Sequence, residues 1–253
     1  MSTSFKRSSP SGLYRAATAF GLLVGAAAWA NPSVASALAA EKVIEVESQH
    51  GSDAVMVTKV TFGNSEVQCG LIVSPTEVQP VTPIEAGDDW LQNLTIYLLN
   101  RTNKTIVFGQ IALAFPETGD GSPQHPQAVY ILTLGRLPES VAFSGTGQPL
   151  RQDPGRQPIW FARGQTLRIR VGDYTEQIRT YVDGVRASGT PSFTALTKCI
   201  IRRSSFVFDD GMRWDGEYSL PDPEHRGKWK RIEGDYFPHD GDRYPPWPPN
   251  YHK

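Results

Sequence analysis

From Ala54 to Trp214 most of the chain consists of short apolar stretches with a period of two, the majority closed by glycine, proline or asparagine. No other feature constrains the fold as strongly. Alternation puts every second side chain on one face of an extended strand, a repeat that a helix cannot use. Ala54-Val-Met-Val-Thr-Lys-Val-Thr-Phe62 ends at Gly63-Asn64, and Val67–Val73 reads as the next strand. Leu91–Leu99 and Thr105–Phe115 flank the polar link Asn100-Arg-Thr-Asn-Lys104, which predicts a hairpin. Leu94, Ile96 and Leu98 share one face of the first arm, and Ile111, Leu113 and Phe115 share one face of the second. Val129–Leu134 is a further strand. In Gln165–Val171, Leu167, Ile169 and Val171 turn inward while Arg168 and Arg170 turn outward. Phe193–Ile201 follows. Ser205–Phe208 and Met212–Trp214 then flank Asp209-Asp-Gly211, a second hairpin with a turn that favours positive φ.

One segment has helical spacing. Asp173–Val182 places Tyr174, Ile178, Tyr181 and Val182 on one side, with Asp173 as its cap, Glu176 three residues on, and Gly184 as its stop. Many short strands with frequent turns and one short helix predict an all-β, antiparallel, immunoglobulin-like β-sandwich, with a barrel as the alternative. The expected organisation is a signal peptide at 1–39, an N-terminal arm or first strand at 40–52, a sandwich domain at 53–218, and a Pro/aromatic-rich C-terminal extension at 219–253.

The first segment predicts export. Lys6, Arg7 and Arg15 precede the small-apolar run Ala17–Ala30, and two small-x-small patterns end at Ala37 and Ala39. The run is shorter than the ~20 residues that span a bilayer, so no transmembrane segment is expected after cleavage. Losing three of the 25 basic residues against 26 acidic ones moves the formal charge from −1 to about −4. That balance argues against a partner held by neutralising phosphates, so nucleic acid is not expected. The localisation expected is secreted or periplasmic.

Two cysteines exclude a disulfide-dense scaffold and a four-thiolate metal site. In an oxidising compartment Cys69 and Cys199 read as one bridge, with two separately buried thiols as the alternative. The five histidines share no metal-ligand spacing, and His239-Asp240-x-Asp242 is a weak candidate at most. Neither a G-x-S-x-G elbow nor a phosphate-binding glycine loop is present. The chain therefore calls for no metal and no cofactor. Asp209, Asp210, Asp215 and Glu217 cluster in sequence, and two turns account for them better than calcium or acid/base chemistry. Asn93, Asn100 and Asn103 match the N-glycosylation pattern.

The candidate binding residues are aromatic: Trp214, Tyr218, Trp229, Tyr244 and Trp247. Such rings stack on sugars or fill a partner's pocket, and the prolines around Trp247 favour a preformed extended segment. The alternative is that Trp214, Tyr218 and Trp229 plug an edge of the sandwich.

The strand Trp90-Leu-Gln-Asn-Leu-Thr-Ile96, the strand Phe108–Phe115 ending at Pro116, and Cys199 followed by Phe208-Asp-Asp-Gly-Met-Arg-Trp214 resemble a group of uncharacterised exported bacterial proteins. The resemblance implies export and an all-β fold, and it implies no activity. The function expected is that of an exported, non-enzymatic protein that binds or scaffolds at the cell envelope, with an envelope protein or a polysaccharide as partner. A glycan-binding module and a hydrolase with an acidic site are the alternatives.

Overall fold

The computed structural model describes residues 40–50, 52–74, 77–78 and 81–232. The segment read as a signal peptide, together with Tyr244, Trp247, His239 and Asp240, lies outside the described residues. The strands are β1 (Ala40–Glu47), β2 (Val55–Phe62), β3 (Ser65–Glu66), β4 (Gly70–Ser74), β5 (Glu77–Val78), β6 (Ile84–Ala86) and β7 (Leu94–Asn100). They continue as β8 (Ile106–Phe115), β9 (Ala128–Gly135), β10 (Thr166–Arg170), β11 (Lys198–Phe208), β12 (Arg213–Trp214), β13 (Tyr218–Pro221) and β14 (Trp229–Arg231). One α-helix, α1, spans Thr175–Val185. The fold is mostly β with one short helix, as the alternation predicts.

Among the described residues the strands form two sheets. The smaller runs β10-β7-β2-β3. In the larger, β11 is central: β8 and then β9 lie on one side, with β1 and the β12–β14 meander on the other. Both sheets bury one face in the same core. Val57, Val60, Leu94, Ile96 and Ile169 come from the smaller sheet; Ile111, Leu113, Phe115, Leu132 and Phe206 come from the larger. The faces assigned from alternation to Leu94, Ile96, Leu98, Ile111, Leu113 and Phe115 are therefore the buried ones.

Four local expectations are corrected. The larger sheet is mixed rather than antiparallel: β1 runs parallel to β11 and to β4. Its Ile44 and Val46 are almost fully buried, so of the two readings of this segment, arm or first strand, residues 40–47 form the strand, and it is an interior one. Strands β7 and β8 do not form a hairpin with each other. β7 pairs with β2 and β10, whereas β8 pairs with β11 and β9, so residues 101–105 carry the chain between sheets. Asn100 holds that crossing: its Nδ2 donates to the carbonyls of Lys104 and Phe161, both at 2.8 Å, and its Oδ1 accepts from Thr102. Fully buried and committed to these bonds, Asn100 is no glycosylation acceptor. Finally, Asp173 does not cap α1. It lies in the 3-10 turn Val171–Tyr174 and pairs with Arg170, while Gly184 remains inside the helix. The hairpin through Asp209-Asp-Gly211 forms as expected, with Phe206 opposite Trp214 and Gly211 at φ 83°.

The cysteine bridge is also corrected. Cys199 lies across from Ile44, and Gly70 lies across from Glu45 on the other side of β1. One strand thus separates Cys199 from Cys69, the residue before Gly70. Neighbouring strands are ~4.8 Å apart, so two spacings exceed the ~7 Å that a disulfide spans between Cα atoms. No disulfide is present among the described residues. Cys69 Sγ instead contacts the Val67 carbonyl at 3.7 Å. Burial, with Glu66 adding to it, pushes the Cys69 thiol up to about 12. Burial, then the charge of Cys69 acting at a distance, pushes Cys199 up as well. Alkylation of the unfolded chain without reductant is therefore expected to add two labels. A mass unchanged by alkylation would restore the bridge.

Candidate functional site

The end of β9 is set by Gly135. Its φ is +75°, and a Cβ there would lie 2.5 Å from the Val107 carbonyl oxygen and 2.9 Å from the Ile159 nitrogen. Only glycine fits such a position. The chain leaves the sheet at this point, and Ile159–Phe161 replaces it beside β8, with the Ile159 amide donating to the Val107 carbonyl at 3.0 Å. β9 is left as an edge of the larger sheet, and β10 is an edge of the smaller. Helix α1 fills part of the opening between them: Ile178 and Val182 reach the core, and Tyr181 meets Tyr130 of β9 at 5.7 Å, edge to face.

The rest of the opening is a cleft. A cavity of about 250 Å³ lies between the two edges, with Leu134, Ile159, Leu167 and Ile169 as an apolar floor. Arg156, Arg168 and Arg170 stand around it. A second cavity of about 360 Å³ lies on the outer face of the larger sheet, over Phe108, Leu137 and Leu150, and is lined by Arg136 and Arg151. Thr133, Gly135 and Arg156 line both cavities, so the two meet at the edge of β9. Gln152 ties the outer loop to the strand end. Its Oε1 accepts from the Leu137 amide at 2.8 Å, and its Nε2 donates to the Leu137 carbonyl at 3.0 Å.

The cleft is cationic. Arg136 pairs with Glu139 and Arg170 with Asp173, both at 3.3 Å. Among the described residues, Arg151, Arg156 and Arg168 have no carboxylate partner. Arg156 Nη1 donates to the Thr133 carbonyl at 3.0 Å. Asp153, the other acid in the lining, accepts from the Gly155 amide at 2.9 Å. A concentration of positive charge on a chain with more acidic than basic residues draws anions to one place. The inward and outward alternation of Gln165–Val171 had already turned Arg168 and Arg170 out. Arg136, Arg151 and Arg156 gave no signal, because they lie in loops whose return to the strand edge is a tertiary matter.

The residues singled out in the sequence do not assemble a site. Trp214 and Tyr218 are core residues, 3% and 7% exposed, so the expectation that they are binding platforms is corrected. They pack on Phe206 and Phe208, with ring centroids 6.0 and 6.2 Å apart. Trp229 is half-buried, with the Arg213 guanidinium 4.4 Å from its ring centroid. The acidic cluster is dispersed among cations: Asp210 pairs with Lys104, Asp215 with Arg213, and Glu217 with Arg231. Gly211 and Gly216, both with positive φ, make these segments turns.

Asp222, Glu224 and His225 bring ligand atoms within 4.8 Å of one another, a cluster that the sequence reading passed over. Asp222 is already satisfied there. It accepts from the Glu224 amide at 2.9 Å, contacts His225 Nδ1 at 3.1 Å, and lies 3.3 Å from Lys230 Nζ. The Glu224 amide above all, helped by His225 and Lys230, holds its carboxyl at about 2. The Lys230 ammonium stands where a bound cation would be drawn. Among the described residues no helix is long and apolar enough to cross a membrane.

Comparison of the chain with protein-family models, with curated protein sequences and with solved structures finds no match in any of the three.

Proposed function

We propose that this chain is an exported, non-enzymatic binding protein of the cell envelope that holds an extended anionic ligand in the cleft between β9 and β10. The observation that carries the proposal is the set of arginines gathered on contiguous cavities, three of them without a carboxylate partner among the described residues. The apolar floor beneath them adds contact area that a free surface would lack. The aromatic-platform reading has less support, because Trp214 and Tyr218 are buried and the ring of Trp229 is covered by Arg213. Export rests on the basic, apolar and small-residue sequence of the first 39 residues. The scaffold proposed is an immunoglobulin-like sandwich extended by the parallel strands β1 and β4, and the core shared by the two sheets supports it.

Calorimetric titration with polygalacturonate, a polyanion, and with dextran, a neutral glucan, tests the binding reading. Polygalacturonate is expected to bind, with an affinity that falls as salt screens the arginines over a Debye length of ~10 Å at 0.1 M. Equal heats from both polymers, or an affinity indifferent to salt, would overturn it. Export is tested by the mass of the protein recovered from outside the cytoplasm. Cleavage after Ala39 is expected, and an intact leader on a cytoplasmic protein would refute it.

A further inference from the structure

We propose that the ligand of this cleft is a polypeptide segment that adds to β9 as a further strand and carries both acidic and apolar side chains. The inference rests on the cleft reading above and narrows the anionic ligand to a peptide. Among the described residues β9 is paired with β8 on one side only. In an antiparallel ladder every second residue turns its N–H and C=O away from the partner strand. Arg156 donating to the Thr133 carbonyl identifies the outward set as Val129, Ile131 and Thr133. These groups form the hydrogen-bonding array that an incoming strand requires.

The cavities match the period of such a strand. Side chains of an added strand point alternately to the two faces of the sheet. The structure has one cavity on each face at this point, and the two share Thr133, Gly135 and Arg156. Side chains of one parity meet the apolar floor of Leu134, Ile159, Leu167 and Ile169. Those of the other parity meet Phe108, Leu137 and Leu150 with Arg136 and Arg151 beside them, and each cavity thus pairs an apolar floor with arginines, Arg168 and Arg170 at the first. Arg156, which now caps the Thr133 carbonyl, is released to a carboxylate of the incoming chain. A polysaccharide offers neither the amide array nor side chains that alternate between the two faces.

The composition of β9 points the same way. Edge strands are commonly blunted by charge or proline. Ala128-Val-Tyr-Ile-Leu-Thr-Leu-Gly135 carries neither, and Ile131 is 39% exposed on it.

The test uses the full mature chain and three probes: a decapeptide alternating valine with glutamate, the same peptide N-methylated on successive interior amides, and polygalacturonate. The decapeptide is expected to bind, and methylation to weaken it about tenfold or more, the effect of losing two backbone hydrogen bonds. Thr133→Pro removes an outward N–H on an edge strand, where proline is tolerated, together with a side chain that lines both cavities. It is expected to weaken the decapeptide to a similar degree. Equal affinity for the methylated peptide would overturn strand addition. So would binding of polygalacturonate without binding of the decapeptide, although the cleft reading would then survive. Binding of none of the three would overturn both.

Discussion

Phe206→Ala is expected to destabilise the protein by about 3–5 kcal/mol, the range for emptying an aromatic site in a close-packed core. Domains of this size are stable by only about 5–15 kcal/mol, so roughly a fifth or more of the total rests on this ring. Phe206 is fully buried on β11, beside Trp214 and against the strand that carries Gly109. A Cβ at position 109 would lie 2.8 Å from Phe206 Cδ1, which explains a glycine in the interior of β8, where it costs backbone entropy. The two positions are therefore coupled. Gly109→Ala alone is expected to overpack the site and cost about 1–3 kcal/mol. In a Phe206→Leu background the same methyl enters space the ring has left, so the double variant should be more stable than the two single losses predict. Urea unfolding of the parent, the three single variants and the double variant measures this directly. A Phe206→Ala midpoint within ~0.5 kcal/mol of the parent, the spread of ordinary surface changes, would mean that the two sheets do not share this core.

The same pair shows which parts of the fold could be read from the sequence. Alternation assigned the inner faces of β7 and β8 correctly, because a one-residue slip would expose every apolar side chain at once. It could not say which strand pairs with which. A polar link such as Asn100-Arg-Thr-Asn-Lys104 closes a hairpin or crosses between sheets with the same composition. The side chain of Asn100, bonded to Phe161 from a distant loop, is what distinguishes the two. For the same reason residues 40–47 did not read as an interior strand. Lys42 and Glu45 look solvent-facing, yet Lys42 Nζ donates to the Leu196 carbonyl at 2.8 Å and Glu45 pairs with Lys198 at 2.6 Å, so both are buried without orphaned charge. Burial pushes the Lys42 ammonium below its ordinary value, with Asp88 and Glu117 opposing.

The candidate site was less legible than the fold. Aromatics near the C-terminal end of the sheet drew attention because exposed rings are good ligands for sugars. Two of them are instead the partners of Phe206 and Phe208. The arginines that remain available lie on β10 and on the loops after β9. Their convergence depends on Gly135, whose positive φ ends β9 and lets Ile159–Phe161 take its place beside β8. A single glycine in a strand pattern signals a close backbone approach. It does not signal which side chains that approach gathers.

The convergence makes the largest functional prediction. Arg156→Glu with Arg168→Glu is expected to weaken binding of an anionic ligand at least about a hundredfold, because each change removes an attraction and adds a repulsion of similar size. Both side chains are exposed and neither has a carboxylate partner among the described residues, so the fold should tolerate the reversal, with surface changes of this kind within ~0.5 kcal/mol. Arg136→Glu with Arg170→Glu is the informative contrast. Those arginines already face Glu139 and Asp173, so part of their charge is spent locally and the loss should be smaller. Raising the salt should weaken the parent steeply and the Arg156/Arg168 variant hardly at all, since the variant has lost the charges that salt screens. An Arg156/Arg168 variant that binds polygalacturonate as the parent does would place the anion site elsewhere. Equal losses from both pairs would mean that net charge, and not the cleft, governs the interaction.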